Sequence, residues 1–352
     1  MILFVISHSE QTYTHIYNMK PHTKAIVGVA VAISIAVAAW CVWQTWPSDA
    51  SGMRRTAVVV EQTTWHEVTV DNRPVLYFDS AEGDSALMGI TSVRDSATHR
   101  RLTMGFWTNR WPLMPTCRGR VVAPYTAEGG VPRSLNDSAI VRLCRLSADI
   151  QLKRLQTQKS ELDYYIRVHG VQDNGYQQIA ALANSIKRAA IAVRTARNII
   201  DSLAADKKHR HRFALCTKAT FSVTGHDDEG KTVRIPMHLV SRDSTLRLAV
   251  LQTSDRSTPD WAKPARLLPW DASTSRPVLS AATPGLGIRG IESDTVSPII
   301  VQGTMQASGL HNLPRLLAPD GAPVYTRRGH FIGVVNGKKI TSRRDINKLL
   351  KK

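Results

Sequence analysis

Two stretches in the middle of the chain carry apolar residues at three- and four-residue steps, and they restrict the fold more than any other feature. Over residues 134–166 the stripe runs Val141, Cys144, Ala148, Leu152, Leu155, Leu162 and Ile166, broken once by Lys159. Over residues 176–205 it runs Ile179, Ala183, Ile186, Ala190, Val193, Ile200 and Ala204, broken once by Arg197. That period lies along one face of an α-helix; a strand would alternate every second residue. Between the stripes sits His169-Gly170-Val171-Gln172-Asp173-Asn174-Gly175, which is rich in turn formers. An antiparallel helical hairpin over 134–205 follows. The charge inside each stripe argues against a long isolated coiled coil, so the hairpin is expected to pack on the rest of the protein. A partner-binding or oligomerising arm is the alternative use for it.

On both sides of the hairpin the pattern is short β runs. Ala57–Val60, Glu67–Val70, Val75–Phe78 and Leu87–Ile90 precede it; Phe213–Thr224, Lys231–Val240 and Thr245–Gln252 follow it. The acidic tip His226-Asp227-Asp228-Glu229 between two of these runs reads as a solvated hairpin, because metal-ligand spacing is lacking. Further on, Pro319-Asp320-Gly321-Ala322-Pro323 forces a sharp turn, and Val324-Tyr325 and Phe331–Val335 read as strands around the polar turn Thr326–His330.

The N-terminal region has a different character. Lys20 and Lys24 precede an apolar run from Ala25 to Trp43 that is long enough to span a bilayer, and Trp40, Trp43 and Trp46 sit at its far end. The two lysines place the C-terminal bulk outside the cytoplasm by the positive-inside rule. A retained single-pass anchor is one reading; a signal peptide cut after Ala36-Val37-Ala38 is the other. Either Met1 or Met19 serves as the start. The chain is strongly basic, with a formal net charge of +18. Its basic residues are scattered and follow no nucleic-acid-binding pattern, so a general electrostatic bias is expected, not a specific nucleic-acid partner. The four cysteines, Cys41, Cys117, Cys144 and Cys216, form no C-x-x-C pair and indicate neither a metal site nor a disulfide framework.

The segment Leu316–Lys338 resembles the nucleophile loop of the chymotrypsin/trypsin-like serine peptidases. In that family the loop reads G-D/N-S-G-G-P-[LV] and leads into a G-x-[IV]-G-[IV] strand. Pro323-Val324 falls on the closing Pro and apolar residue, and Gly329–Val334 falls on the strand. Gly321 and Ala322 then fall on the two glycines of the oxyanion loop, and Asp320 on the serine. Leu248-Ala249-Val250-Leu251 resembles the family's aspartate segment, with Arg247 in the aspartate's place. Gly105-Phe106-Trp107 and Leu113-Met114 resemble the histidine segment, with the histidine falling on Cys117 or Arg118. Pro277–Gly287 and Val296–Gly303 resemble the opening strands of the second barrel.

The resemblance implies a mainly β protein with inserted α: two six-stranded antiparallel β-barrels of the trypsin-like type, carrying the helical hairpin. The expected division is 1–24 cytoplasmic, 25–46 transmembrane, 47–56 linker, 57–133 and 206–260 first barrel, 134–205 hairpin, 261–340 second barrel and 341–352 a C-terminal helix. The degenerate positions Cys117, Arg118, Arg247 and Asp320 lack the imidazole base and hydroxyl nucleophile that hydrolysis requires. The expected function is therefore that of a membrane-tethered pseudoprotease binding a peptide or protein outside the cytoplasm, with no cofactor and no metal. The alternatives are an active serine endopeptidase with a divergent triad, and a hairpin interaction protein on a barrel scaffold. If Asp320 occupies a partly closed groove, it is expected to pair with Arg247 or Arg118.

Overall fold

The computed structural model describes residues 29–39, 47–82, 86–108, 119–125, 135–206, 209, 211–227, 229–267, 276–286 and 296–351. Residues 29–39 are helical, and Val29, Val31, Ile33, Ile35 and Val37 are all exposed. Among the described residues no helix is long and apolar enough to cross a membrane. The span expected over Ala25–Trp43 lies partly outside the described residues.

The expected linker is instead a short helix, α1 (Ala50–Thr56), whose N-cap Asp49 accepts from the Gly52 N–H. That hydrogen bond holds the Asp49 carboxyl below its ordinary range. The chain just before it is fastened by Ser48 N–H donating to Gly329 O at 3.0 Å. The strands follow: β1 (Ala57–Val70), β2 (Arg73–Phe78), β3 (Ser80–Glu82), β4 (Ala86–Met88), β5 (Thr98–Thr108) and β6 (Arg120–Pro124). The hairpin helices α2 (Asp137–Val168) and α3 (Tyr176–Ala205) come next. Then β7 (Phe213–His226), β8 (Thr232–Asp243), β9 (Leu248–Thr253), β10 (Arg276–Ala282), β11 (Ile299–Met305), β12 (Pro323–Thr326), β13 (Phe331–Asn336), β14 (Lys339–Ser342) and α4 (Arg343–Lys351) complete the chain.

Six antiparallel strands close into a barrel in the order β1-β5-β6-β9-β8-β7, because β7 returns to pair with β1 from Val59↔Thr224 to Val70↔Phe213. The other edge of β1 is shared: β5 takes Ala57–Trp65 and β2 takes His66–Val70. With both edges paired and elements packed on both faces, β1 is buried along most of its length and shows no alternation. Val58, Val60, Trp107, Val121, Phe221, Val223, Met237 and Leu251, contributed by all six strands, fill one core. Gly105 is required here, since a Cβ would meet Val60 Cγ2 at 2.6 Å and Val121 Cγ1 at 2.9 Å.

The hairpin leaves the barrel between β6 and β7. Its base packs Ile140, Cys144, Ala148, Val193, Ala196 and Ile200 against Val68, Leu76, Phe78 and Leu87. Burial pushes the Cys144 thiol up to about 12, so it is an inert core residue. Farther out, Tyr164, Val168, Val171, Leu182 and Ile191 are exposed.

The second half is described only in part, and the six-stranded second barrel expected from sequence is not shown by the described residues. Among the described residues it is a five-stranded sheet, β11-β10-β12-β13-β14, whose edges are joined only by single bridges, Met305↔His311 and Leu310↔Lys339. After β11 a turn through Gly309, in a left-handed conformation (φ 81°), brings the chain back between the two edges, where Asn312 N–H donates to Thr304 O at 3.2 Å and Ile340 N–H to Gly309 O at 2.9 Å. One core nevertheless spans both halves. Val59, Met104, Phe106, Val122 and Val250 of the barrel join Val278, Ala281, Val324, Tyr325, Phe331 and Val334 of the sheet. Ile346, Leu349 and Leu350 of α4 complete it while its lysines face solvent.

Candidate functional site

The seam between barrel and sheet holds a groove of about 610 Å3. Three chain segments reach it from different directions: the end of β6 (Pro124, Tyr125), the turn before β9 (Thr245, Leu246, Arg247), and the turn at Asp320. Asn336–Ser342, with Arg101, Arg315 and Asp345, completes the lining. The structure therefore brings Arg247 and Asp320 into one groove. Cys117 and Arg118 lie outside the described residues.

The Asp320 turn is seated by hydrogen bonds and by a close backbone approach. Gly321 has φ 91°, and a Cβ on it would meet Met104 O at 1.9 Å and Pro124 Cδ at 2.5 Å. Gly321 N–H donates to Val335 O at 2.8 Å, and Ala322 N–H donates to Pro319 O at 3.1 Å. Both N–H groups are thus committed inside the protein, and Ala318 N–H is likewise bound to Pro314 O at 2.8 Å. An oxyanion hole needs N–H groups aimed at the reacting atom, so these three do not supply one.

Asp320 Oδ1 accepts from Gly337 N–H at 2.8 Å, tying the turn to the β13–β14 connection. Among the described residues Asp320 is in no ion pair, so the pairing expected with Arg247 is absent. Arg247 adopts the left-handed region (φ 52°), and its carbonyl accepts from Tyr125 N–H at 2.8 Å, which stitches β6 to β9. The Asp320 carboxylate has a backbone donor of its own in Gly337.

Tyr125 belongs to the groove and was not anticipated from sequence. Arg242 Nη1 donates to its hydroxyl at 2.7 Å and lies 5.4 Å over its ring. The signal available was Val121-Val122-Ala123, a β run that starts after Gly119 (φ 58°) and stops at Pro124. It competed with Leu113-Met114 as the strand leading to the cleft.

Among the described residues no histidine and no cysteine lines the groove. Its hydroxyls are mostly occupied: Ser342 Oγ donates to Asp345 Oδ2 at 2.7 Å as the cap of α4, and Thr341 Oγ1 accepts from Asn336 at 3.1 Å. His311 lies close enough to feel the Asp320 carboxylate, yet burial pulls its pKa down overall. Its Nδ1 accepts from Leu313 N–H at 3.2 Å, which puts the neutral ring's proton on Nε2 and leaves no lone pair for a base. The groove can hold a ligand by charge and hydrogen bonds. Its described residues provide no activated nucleophile.

No group of three or more histidine, cysteine or carboxylate residues that could hold a metal exists among the described residues. No family model matches the sequence, and no curated protein matches it. Among solved structures, the chain is similar to Deg5 at 12% identity, with 81% of this chain and 85% of that one covered and a TM-score of 0.32. An inactive variant of Rv3671c from M. tuberculosis aligns at 11% identity over 87% of this chain and 94% of that one, with a TM-score of 0.32. The MamO protease domain from Magnetospirillum magneticum aligns at 15% identity over 37% of this chain and 74% of that one, with a TM-score of 0.25. These scores are too low to carry an assignment.

Proposed function

We propose that this chain is a protease-like barrel protein that binds a peptide or an extended protein segment in the groove and does not cleave it. The observation that carries this reading is the groove itself. The turn that resembles a nucleophile loop enters it beside the end of β6 and the start of β9, yet it presents a carboxylate and no imidazole among the described residues. A carboxylate at that place repels a developing oxyanion, and the committed N–H groups of the turn offer no compensation. Binding remains available, since a groove of this size accommodates several peptide residues. The helical segment 29–39, apolar and exposed along its length, favours a membrane tether at the N-terminal end of the same protein.

The test is to pass a mixture of random-sequence peptides over the immobilised protein and identify what is retained. Retained peptides should be recovered at full length. Retention of cleaved fragments, with new termini at one kind of residue, would overturn the reading.

A further inference from the structure

The charge of the groove narrows its ligand. Five cations line it: Arg101 from β5, Arg247 from the turn before β9, Arg315 from the loop before the Asp320 turn, and Lys338 and Lys339 from the end of the β13–β14 connection and the start of β14. Two carboxylates oppose them, Asp320 and Asp345. Asp345 is already matched by Lys348 Nζ at 3.3 Å and by the Ser342 hydroxyl. Asp320 spends one oxygen on the Gly337 N–H. Among the described residues Arg247, Arg315, Lys338 and Lys339 take part in no ion pair.

Surface cations usually point to water singly. Here they come from four separate parts of the chain and converge on one concave wall, where field lines are focused and screening by salt is less complete. Tyr125 adds an aromatic ring beside them.

From this convergence we infer that the groove selects an acidic peptide segment, one rich in aspartate and glutamate. The inference rests on the proposed peptide-binding reading and adds the class of ligand. Carboxylate side chains of the ligand meet Arg247, Arg315, Lys338 and Lys339, while the Asp320 turn closes one end and disfavours a basic segment.

The experiment measures fluorescence anisotropy with the full chain and two labelled peptides, one Glu-rich and the other identical with Gln for Glu. The Glu-rich peptide should bind at least about tenfold tighter, and its affinity should fall steeply as salt rises. The double variant Lys338→Glu/Lys339→Glu should lose about tenfold or more, and Lys338→Gln/Lys339→Gln should lose less, both with unchanged melting. The control Arg188→Glu, on the exposed face of α3, should leave binding intact. Equal binding of the two peptides would overturn the charge inference and leave peptide binding standing. Binding of neither would overturn both readings. Loss of binding in Arg188→Glu as large as in the groove variant would also overturn it, since the attraction would then belong to the whole basic chain. Tighter binding of a single-stranded oligonucleotide or of anionic lipid vesicles, abolished by the groove variants, would replace the acidic peptide as the ligand class.

Discussion

Replacing Gly321 with alanine tests how the groove is built. Two costs arise. Gly321 has φ 91°, so any residue with a Cβ is strained there by about 1–2 kcal/mol. The added Cβ would also sit 1.9 Å from Met104 O, about 1.5 Å short of an ordinary 3.4 Å contact, and 2.5 Å from Pro124 Cδ. Neither partner is a flexible side-chain end; one is strand backbone and the other a proline ring at the end of a strand. Overpacking of that kind costs about 1–3 kcal/mol. Gly337→Ala isolates the second cost, because Gly337 also has a positive φ (63°) but nothing lies within 4 Å of its Cβ position. Urea denaturation of both variants should therefore show Gly321→Ala less stable than Gly337→Ala by about 1–3 kcal/mol. If the two lose the same stability, the Asp320 turn is not seated on β5 and β6, and the groove as described does not exist.

Other expectations follow from the same structure. Ile186→Asp puts an unpaired charge at a buried position on α3 and should destabilise the protein by several kcal/mol, roughly 3–5, read as a lower melting temperature. His211 Nδ1 lies 2.7 Å from Asp71 Oδ2, and this hydrogen bond raises the histidine pKa and lowers that of the carboxyl. A raised histidine pKa stabilises at low pH and loses that contribution as pH climbs through the folded value. The His211 contribution is therefore lost as pH climbs above the ordinary histidine value of about 6.5, and His211→Gln should lower the melting temperature more in mildly acidic than in mildly basic buffer. Washing membranes with carbonate should leave the full-length chain bound if the N-terminal tether is retained; a soluble chain starting near Trp40 would show cleavage instead.

How much was legible in the sequence depended on where a residue's partners lie. The helical hairpin was readable because its apolar spacing is local: Val193 and Ile200 mark the buried face of α3, and Val141, Cys144 and Ala148 that of α2. The tail helix was readable for the same reason. β1 read as two runs, Ala57–Val60 and Glu67–Val70, because the polar Gln62 and Thr64 between them are buried by neighbours on both edges of the strand, which no local pattern reveals. Whether the second half closes could not be read from the sequence, because closure is a long-range property. It depends on Leu310 and His311, which bridge the two edges of the sheet although β14 lies well beyond them in sequence. Tyr125 was missed because two β-prone runs preceded it, and only the pairing of Val122 with Phe106 and Val250 shows which run reaches the groove.

The most direct test of the account is exposure of the full chain to a fluorophosphonate probe, with intact-mass spectrometry as the readout. An activated serine or threonine forms a covalent adduct, whereas an unactivated hydroxyl does not. The account predicts no adduct on the native chain and none on Asp320→Ser, since no described histidine lines the groove and nearby His311 commits Nδ1 to Leu313. A stoichiometric adduct on the native chain, or on the serine variant, would reveal a working base at the groove and contradict the proposal that it binds without cleaving.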